Sequence, residues 1–270
     1  MDRIGGKDAA HAAQARCARP RDISSDIAPD PAPASALAAL LGGGLRLALQ
    51  PVRPLAAPGL VAFHEALARV PGPDGAMISA GRFAGALEAR GLAPLLDRAA
   101  LEGGLALLTQ DRAARISVNV SARTVGDLRW MRRLEAAAEA DPDAVRRLVV
   151  ELTETAVAPM PEARRFRDRV GRAGPAFALD DFGSGHADAA LASALAPDIL
   201  KLDAGLCAAR AGVAGTRRVA EATALAARLD AMTVGEGVET AEDAARLADL
   251  GVDAAQGWWF GRPSLAAAAA

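Results

Sequence analysis

Tyrosine is absent from the chain, asparagine occurs once, at Asn119, and lysine only twice, at Lys7 and Lys201. Arginine therefore carries nearly all the positive charge. The rare residues become informative if Asn119 and Lys201 meet in one site; otherwise chance placement suffices. Cysteine is also scarce. Cys17 and Cys207 lie far apart, and no His-x-His or Cys-x-x-Cys spacing occurs, which excludes a thiolate- or imidazole-held zinc centre of familiar type. The same scarcity fits a reducing, cytoplasmic compartment. No apolar run is long enough for a membrane span, since the one from Ala34 is broken by three glycines and Arg46. The first twenty residues lack the continuous apolar stretch of a signal peptide. A net charge of −2 excludes the broad basic face of a general nucleic-acid binder, but not a small anionic ligand.

What is present suits one α/β barrel with a short extension. The chain has 270 residues, 51% of them hydrophobic, enough to bury a sizeable core. Residues 1–35, rich in Ala, Asp, Pro and Arg without a sustained period, read as a flexible extension. Residues 36–265 read as the barrel, opened by a short helix at Ala36–Leu41, and 266–270 as a low-complexity tail. Expected strands are Arg46–Pro51, Leu60–Leu67, Ile116–Val120, Leu148–Leu152, Phe177–Asp181, Ile199–Leu202, Met232–Glu236 and Ala254–Trp258. Helical periods fill most of the separations, as in Phe83–Leu108, Pro161–Arg172, Thr216–Leu229 and Ala241–Leu250. Such alternation implies a mainly parallel sheet closing on itself. The first link is too short for a helix, so the first pair is a hairpin with one strand antiparallel.

Nearly every expected strand finishes on a polar group: Gln50, Glu65, Asn119, Glu151, Asp180, Lys201, Glu236 and Gln256. In a barrel the C-terminal strand ends converge on one mouth, where barrel active sites lie. Glu65, Asn119, Glu151, Asp180 and Glu236 form an all-oxygen donor set suited to Mg²⁺, Mn²⁺ or Ca²⁺. Asp181 follows Asp180 and turns into the loop, where it could ligate a second ion. Paired ions are a recurring device for phosphodiester cleavage. An Asp pair before a Gly-rich loop is, taken alone, more often a turn or helix cap. Arg69, placed just beyond its strand, could make a bidentate contact to a phosphate oxygen. Lys201 ends an apolar run, where a buried ammonium needs an anion beside it and could orient a water. Asp203 shares its face. Glu239 could hold a group neighbouring Glu236, and Glu154 is either helix N-terminal charge or support for the site. His11, His64 and His186 carry no assigned role. Trp258 and Trp259 could stack on a purine, with core packing the expected use of at least one.

Taken in order, "LQPV", "FHEALAR", "SVNVSAR", "VELTET", "LDDFGSG", "LKLD", "GEGVET" and "QGWWF" resemble the EAL-domain family of bacterial cyclic di-GMP phosphodiesterases. The resemblance implies a modified (β/α)8 TIM-like barrel with an antiparallel first strand. It implies metal ligation by Glu65, Asn119, Glu151, Asp180 and Asp181, with Glu236 at the metal-and-water site and Lys201 beside the attacking water. It makes Glu65, Asp181, Lys201 and Glu236 the catalytic set, Asp203 and Glu239 supporting acids, and Glu154 the acid that steadies the loop after Asp181. Gln50, Arg69 and Gln256 match substrate contacts. It further implies Mg²⁺ or Mn²⁺ as cofactor, as two ions, with Ca²⁺ inhibitory, and a homodimer. His186, Ala187 and Asp188 stand where the family usually has a tyrosine and serines, which bears on loop ordering, dimer coupling and turnover. Three functions are compatible: hydrolysis of cyclic di-GMP, its capture without turnover or a protein-interaction role, and, by fold analogy alone, cleavage of another phosphate ester.

Overall fold

In the computed structural model, residues 30–153, 158–184 and 189–266 are described. Expectations for Glu154, His186, Ala187, Asp188 and the extension before residue 30 lie outside these residues. Among the described residues, ten strands form one sheet, and eight of them close into a barrel. Strand β1 (Arg46–Pro54) runs antiparallel to β2 (Phe63–Pro71), and a short β3 (Met77–Ser79) pairs with the outer end of β2. The ring continues through β4 (Ile116–Ser121), β5 (Leu148–Thr153), β6 (Ala176–Phe182), β7 (Ile199–Leu202), β8 (Met232–Gly235) and β9 (Ala254–Gln256), each parallel to its neighbour. β9 pairs antiparallel with β1 and shuts the ring. A last strand, β10 (Ser264–Leu265), adds to the other part of β1. The antiparallel first strand is as the short first link requires.

Helices wrap the ring: α1 (Ala32–Gly42), α2 (Ala84–Ala89), α3 (Ala93–Gln110), α4 (Leu128–Ala140), α5 (Pro142–Val145), α6 (Met160–Ala173), α7 (Ala189–Leu195), α8 (Ala204–Cys207), α9 (Gly212–Leu229) and α10 (Ala241–Asp249). Their apolar stripes face the strands, as Leu101, Leu105 and Leu108 of α3 do, and together they form the main core. Termination follows local chemistry. Asp127 caps α4 by accepting from the amides of Arg129 and Trp130, while Thr240 and Asp243 form a reciprocal capping box on α10. No described helix is long and apolar enough to cross a membrane.

Several boundaries depart from the sequence expectation. Helix α1 starts at Ala32, inside the segment expected to be extension, because Ala32, Ala36 and Ala39 bury one face against β2, β3 and α2. The stretch Phe83–Leu108 divides into α2 and α3 at Gly91, whose φ of +71° breaks the helix ahead of Pro94. Leu60 and Val61 lie outside β2 and are exposed; the carbonyls of Pro58 and Leu60 accept from Arg53 Nη1, which fixes a turn there. Leu265 and Ala266 are tied to β1, the amide of Ala266 donating to the Leu47 carbonyl at 2.9 Å.

Candidate active site

Register brings the acids together. Glu65 pairs with Ser117, Asn119 with Glu151, and Glu151 with Ala178, so successive inward residues climb around the ring in steps of two. Glu65 is therefore mid-strand in β2, not at its end as expected, and Gln50 opposite it is mid-strand in β1. The stagger of a tilted barrel places them level with the ends of the parallel strands. Between β6 and β7 the ladder slips: Leu179 pairs with Leu200 and Phe182 with Leu202, leaving Asp180 and Asp181 opposite Lys201 alone. This β-bulge lets two consecutive residues turn to the same mouth, which strict alternation forbids. Asp181 adopts φ +57°, a left-handed conformation uncommon outside glycine. One oxygen each from Asp180, Asp181 and Glu236 lies within 4.8 Å of the others, a grouping able to hold a metal ion.

Lys201 is the hub. Its Nζ lies 2.7 Å from Glu151 Oε2, 2.7 Å from Glu236 Oε1, 2.9 Å from Asp180 Oδ1 and 3.6 Å from Glu65 Oε2. One ammonium is thus set against four buried or half-buried carboxyl groups. Glu65 is held on both oxygens: Asn119 Nδ2 donates to Oε1 at 2.7 Å, and Gln256 Nε2 to Oε2 at 2.6 Å. Gln256 Nε2 also donates to Gln50 Oε1, and Gln50 Nε2 to the Gly261 carbonyl, both at 3.0 Å. The lone asparagine and the lysine of the barrel thus meet in one cluster.

The acids divide by environment. Burial raises the Glu65 carboxyl, but Lys201 and the amides of Asn119 and Gln256 outweigh it and hold it below the usual range. Burial pushes Glu151 up to about 8 against the pull of Lys201, with Glu65 and Asp180 adding repulsion. Burial, with Asp180 and Glu65 nearby, also raises Glu236 despite Lys201, and burial and Asp180 raise Asp181. Burial alone would lower Lys201; the surrounding acids raise it further, so it stays an ammonium.

A hollow of about 340 Å³ opens on one side of the cluster, lined by Gln50, Glu65, Glu236, Glu239, Gln256 and Trp258 among others. Neither tryptophan packs in the core as expected: Trp258 is 55% and Trp259 53% exposed. The guanidinium of Arg262 lies 4.0 Å from the centre of the Trp258 ring, which leaves an indole-based platform at the mouth. Glu239 is exposed on the rim. Arg69 lies within β2, not beyond it, because β2 runs on to Pro71 to meet β3; it is half-buried and shares the face of Glu65. Asp203 lies just past β7, and its Oδ1 caps α8 by accepting from the Gly205 amide at 2.9 Å. Gly237 packs against Ala204 at φ +65°, and a side chain there would come within 2.5 Å of the Ala204 Cβ.

Asp97 is not among the expected site residues, although its spacing from Leu101, Leu105 and Leu108 places an acid on a core stripe. It is 6% exposed, and its Oδ2 accepts from the Ser121 amide at 2.8 Å and from Thr124 Oγ1 at 2.6 Å, fastening the turn after Asn119 to α3. Burial pushes its carboxyl from 3.8 up to about 6, the bonds from Thr124 and Ser121 opposing only in part. Between those values the folded chain holds a proton that the unfolded chain has lost, so stability falls as pH rises. The fall across this window is roughly 3 kcal/mol from this group. Asp97→Asn should remove that slope in urea unfolding at pH 4 and pH 7; an unchanged difference between the two pH values would contradict the assignment.

The chain matches the EAL domain family over residues 34–263. It is 30% identical over 232 residues to the cyclic di-GMP phosphodiesterase NbdA of Pseudomonas aeruginosa, covering 83% of this chain and 30% of that protein. It is 38% identical over 117 residues to the probable cyclic di-GMP phosphodiesterase PdeN of Escherichia coli, covering 43% of this chain and 23% of that protein. The alignments thus span less than a third of either relative. Among solved structures, the c-di-GMP complex of the phosphodiesterase PaMucR aligns with a TM-score of 0.76 and 27% identity, over 86% of this chain and 96% of that one. The manganese/cy-diGMP complex of Klebsiella pneumoniae BlrP1 aligns with a TM-score of 0.71 and 27% identity, over 82% and 56%. With its barrel closed by an antiparallel first strand and its acids gathered on one lysine, the chain belongs to the EAL domain family.

Proposed function

We propose that the chain is a metal-dependent phosphodiesterase that hydrolyses cyclic di-GMP to the linear dinucleotide and so lowers the level of that messenger. The observation that carries this reading is the buried ring of four carboxylates around Lys201 Nζ. The donor set fits a hard divalent cation, Mg²⁺ or Mn²⁺. Every candidate ligand offers oxygen, and Glu151 Oε1 is buried without a hydrogen-bond partner among the described residues, an acceptor left open for a cation. Glu65, Asn119, Glu151, Asp180, Asp181 and Glu236 would hold the metal, as two ions.

When bound, the cation supplies Lewis acidity toward a phosphoryl oxygen. The chain's own residues supply the rest. Lys201, kept protonated by its acidic neighbours, donates from Nζ to orient the attacking water. Glu236 is the least buried acid in contact with Lys201, lies on the hollow, and takes the water's proton on a carboxylate oxygen. Arg69 supplies a fixed cation for a phosphate oxygen; Gln256 holds Glu65 and is itself held by Gln50, and both amides line the substrate hollow. Asp203, which caps α8, and Glu239, which lines the hollow from its exposed rim, are the supporting acids of this reading. A homodimer is the assembly this reading carries.

Trp258 offers its exposed face to one guanine base. Trp258→Ala should raise KM about tenfold and leave kcat within about twofold, the scale of one base–aromatic stack; unchanged KM would remove the tryptophan from the substrate site. The reading as a whole is tested by comparing cations. Mg²⁺ or Mn²⁺ should support turnover, while Ca²⁺ should support binding of cyclic di-GMP and inhibit its hydrolysis. Binding without turnover in Mg²⁺ and Mn²⁺ would make the chain a receptor instead.

A further inference from the structure

We propose that Arg218 is a positioning residue for Asp181, acting through the turn that carries it and thereby setting how tightly the cation shared by Asp180, Asp181 and Glu236 is held. That role presupposes the metal-dependent reading above. The bulge leaves Asp181 without a paired residue on β7, in a left-handed conformation with φ +57°. A non-glycine residue in that region persists only where its surroundings hold it. Among the described residues, three hydrogen bonds reach this turn from Ser184, Asp203 and Arg218. The Ser184 amide donates to the Asp181 carbonyl at 3.1 Å, and the Asp203 amide to the Phe182 carbonyl at 3.1 Å. Both are backbone contacts of the strand ends themselves.

The third comes from a separate element. Arg218 of α9 donates from Nη2 to the Gly183 carbonyl at 2.6 Å, a charge-assisted bond two residues beyond Asp181. Gly183 is buried at φ +95°, with the Leu206 side chain of α8 where a Cβ would stand, at 2.2 Å. The turn is thus pressed on α8 from one side and tethered to α9 from another, so the Asp181 carboxylate is kept on the mouth beside Asp180 and Glu236. Arg218 is itself an exposed residue, so its side chain is not core packing. Partners that orient metal ligands in this way affect metal affinity by about 10- to 100-fold.

The test uses the full chain as wild type, Arg218→Met, Arg218→Lys and Asp181→Asn. Mn²⁺ is titrated without substrate, with free ion followed by electron paramagnetic resonance, and the class of Mn²⁺ lost in Asp181→Asn marks the site. Arg218→Met, which keeps the apolar stem and removes the donor, should weaken that class about tenfold. It should lower kcat to a similar extent, leave KM for cyclic di-GMP within about twofold, and keep its melting midpoint within about 3 °C. Arg218→Lys, which can still donate to the carbonyl, should recover most of the loss. An unaltered Mn²⁺ titration in Arg218→Met overturns the role of Arg218, as does an Asp181→Asn variant that loses no Mn²⁺, or a loss that tracks a lowered melting midpoint. A wild type that binds Mn²⁺ and hydrolyses nothing overturns the proposed function instead, while the titration still decides the role of Arg218.

Discussion

Glu65→Ala is expected to lower turnover at least ~100-fold at saturating Mg²⁺ or Mn²⁺, the scale of losing a principal electrostatic stabiliser. The carboxylate is a ligand in the proposed metal site and is also the point where β2 is tied to three other strands. Its Oε1 takes the amide of Asn119 on β4, and its Oε2 takes the amide of Gln256 on β9 and faces Lys201 on β7. Truncation leaves Asn119 Nδ2 without that acceptor and removes from beside Lys201 the carboxylate that its neighbours hold ionised. Raising the metal concentration should not restore the rate if the missing group is part of the proposed cage. Initial rates across a Mn²⁺ series decide the matter, and a variant running near the wild-type rate at saturation would refute the ligand assignment.

Lys201→Ala should have an effect of similar size on turnover and a different signature elsewhere. Its Nζ is the positive charge that Glu65, Glu151, Asp180 and Glu236 share at the barrel centre. Without it the buried acids repel with no internal counter-charge, and breaking a buried ion pair from one side costs about 3–5 kcal/mol. The variant should therefore unfold more readily in EDTA and regain stability when a divalent cation is added. With the cation present, turnover should still fall about 100-fold while the affinity for cyclic di-GMP in Ca²⁺ changes only a few-fold, since orienting the water matters mainly in the transition state. Equal losses of affinity and rate would make Lys201 a substrate-binding cation. Stability in EDTA equal to wild type would contradict the electrostatic account of the cluster.

Much of this site is legible in one dimension. Lys201 ends an apolar strand, Asn119 is the lone asparagine, and Glu151 and Asp180 close short β runs, so a parallel barrel must bring them to one mouth. What was not legible depends on geometry that alternation does not encode. Glu65 reads as a strand end because the apolar run "LVAF" ahead of it reads as part of the same strand. In three dimensions Leu60 and Val61 form an exposed turn held by Arg53, and barrel stagger supplies the height that position along β2 does not. The bulge at Asp180–Asp181 could not be predicted from the paired acids, since period two sends one of them outward. That neither Trp258 nor Trp259 packs in the core was missed because two adjacent indoles resemble core, whereas the turn after β9 leaves both exposed. Asp97 was readable as an acid on an apolar stripe, but its partners Ser121 and Thr124 lie more than twenty residues away and only the fold reveals them.

The central claim is that this acid cluster, loaded with a divalent cation, cleaves a phosphodiester of cyclic di-GMP. The most direct measurement incubates the purified chain with cyclic di-GMP in Mg²⁺, in Mn²⁺ and in EDTA, and separates the products by chromatography over time. The account predicts the linear dinucleotide as the product in Mg²⁺ or Mn²⁺ and intact substrate in EDTA. Intact cyclic di-GMP in all three, or cleavage that proceeds equally in EDTA, would contradict it.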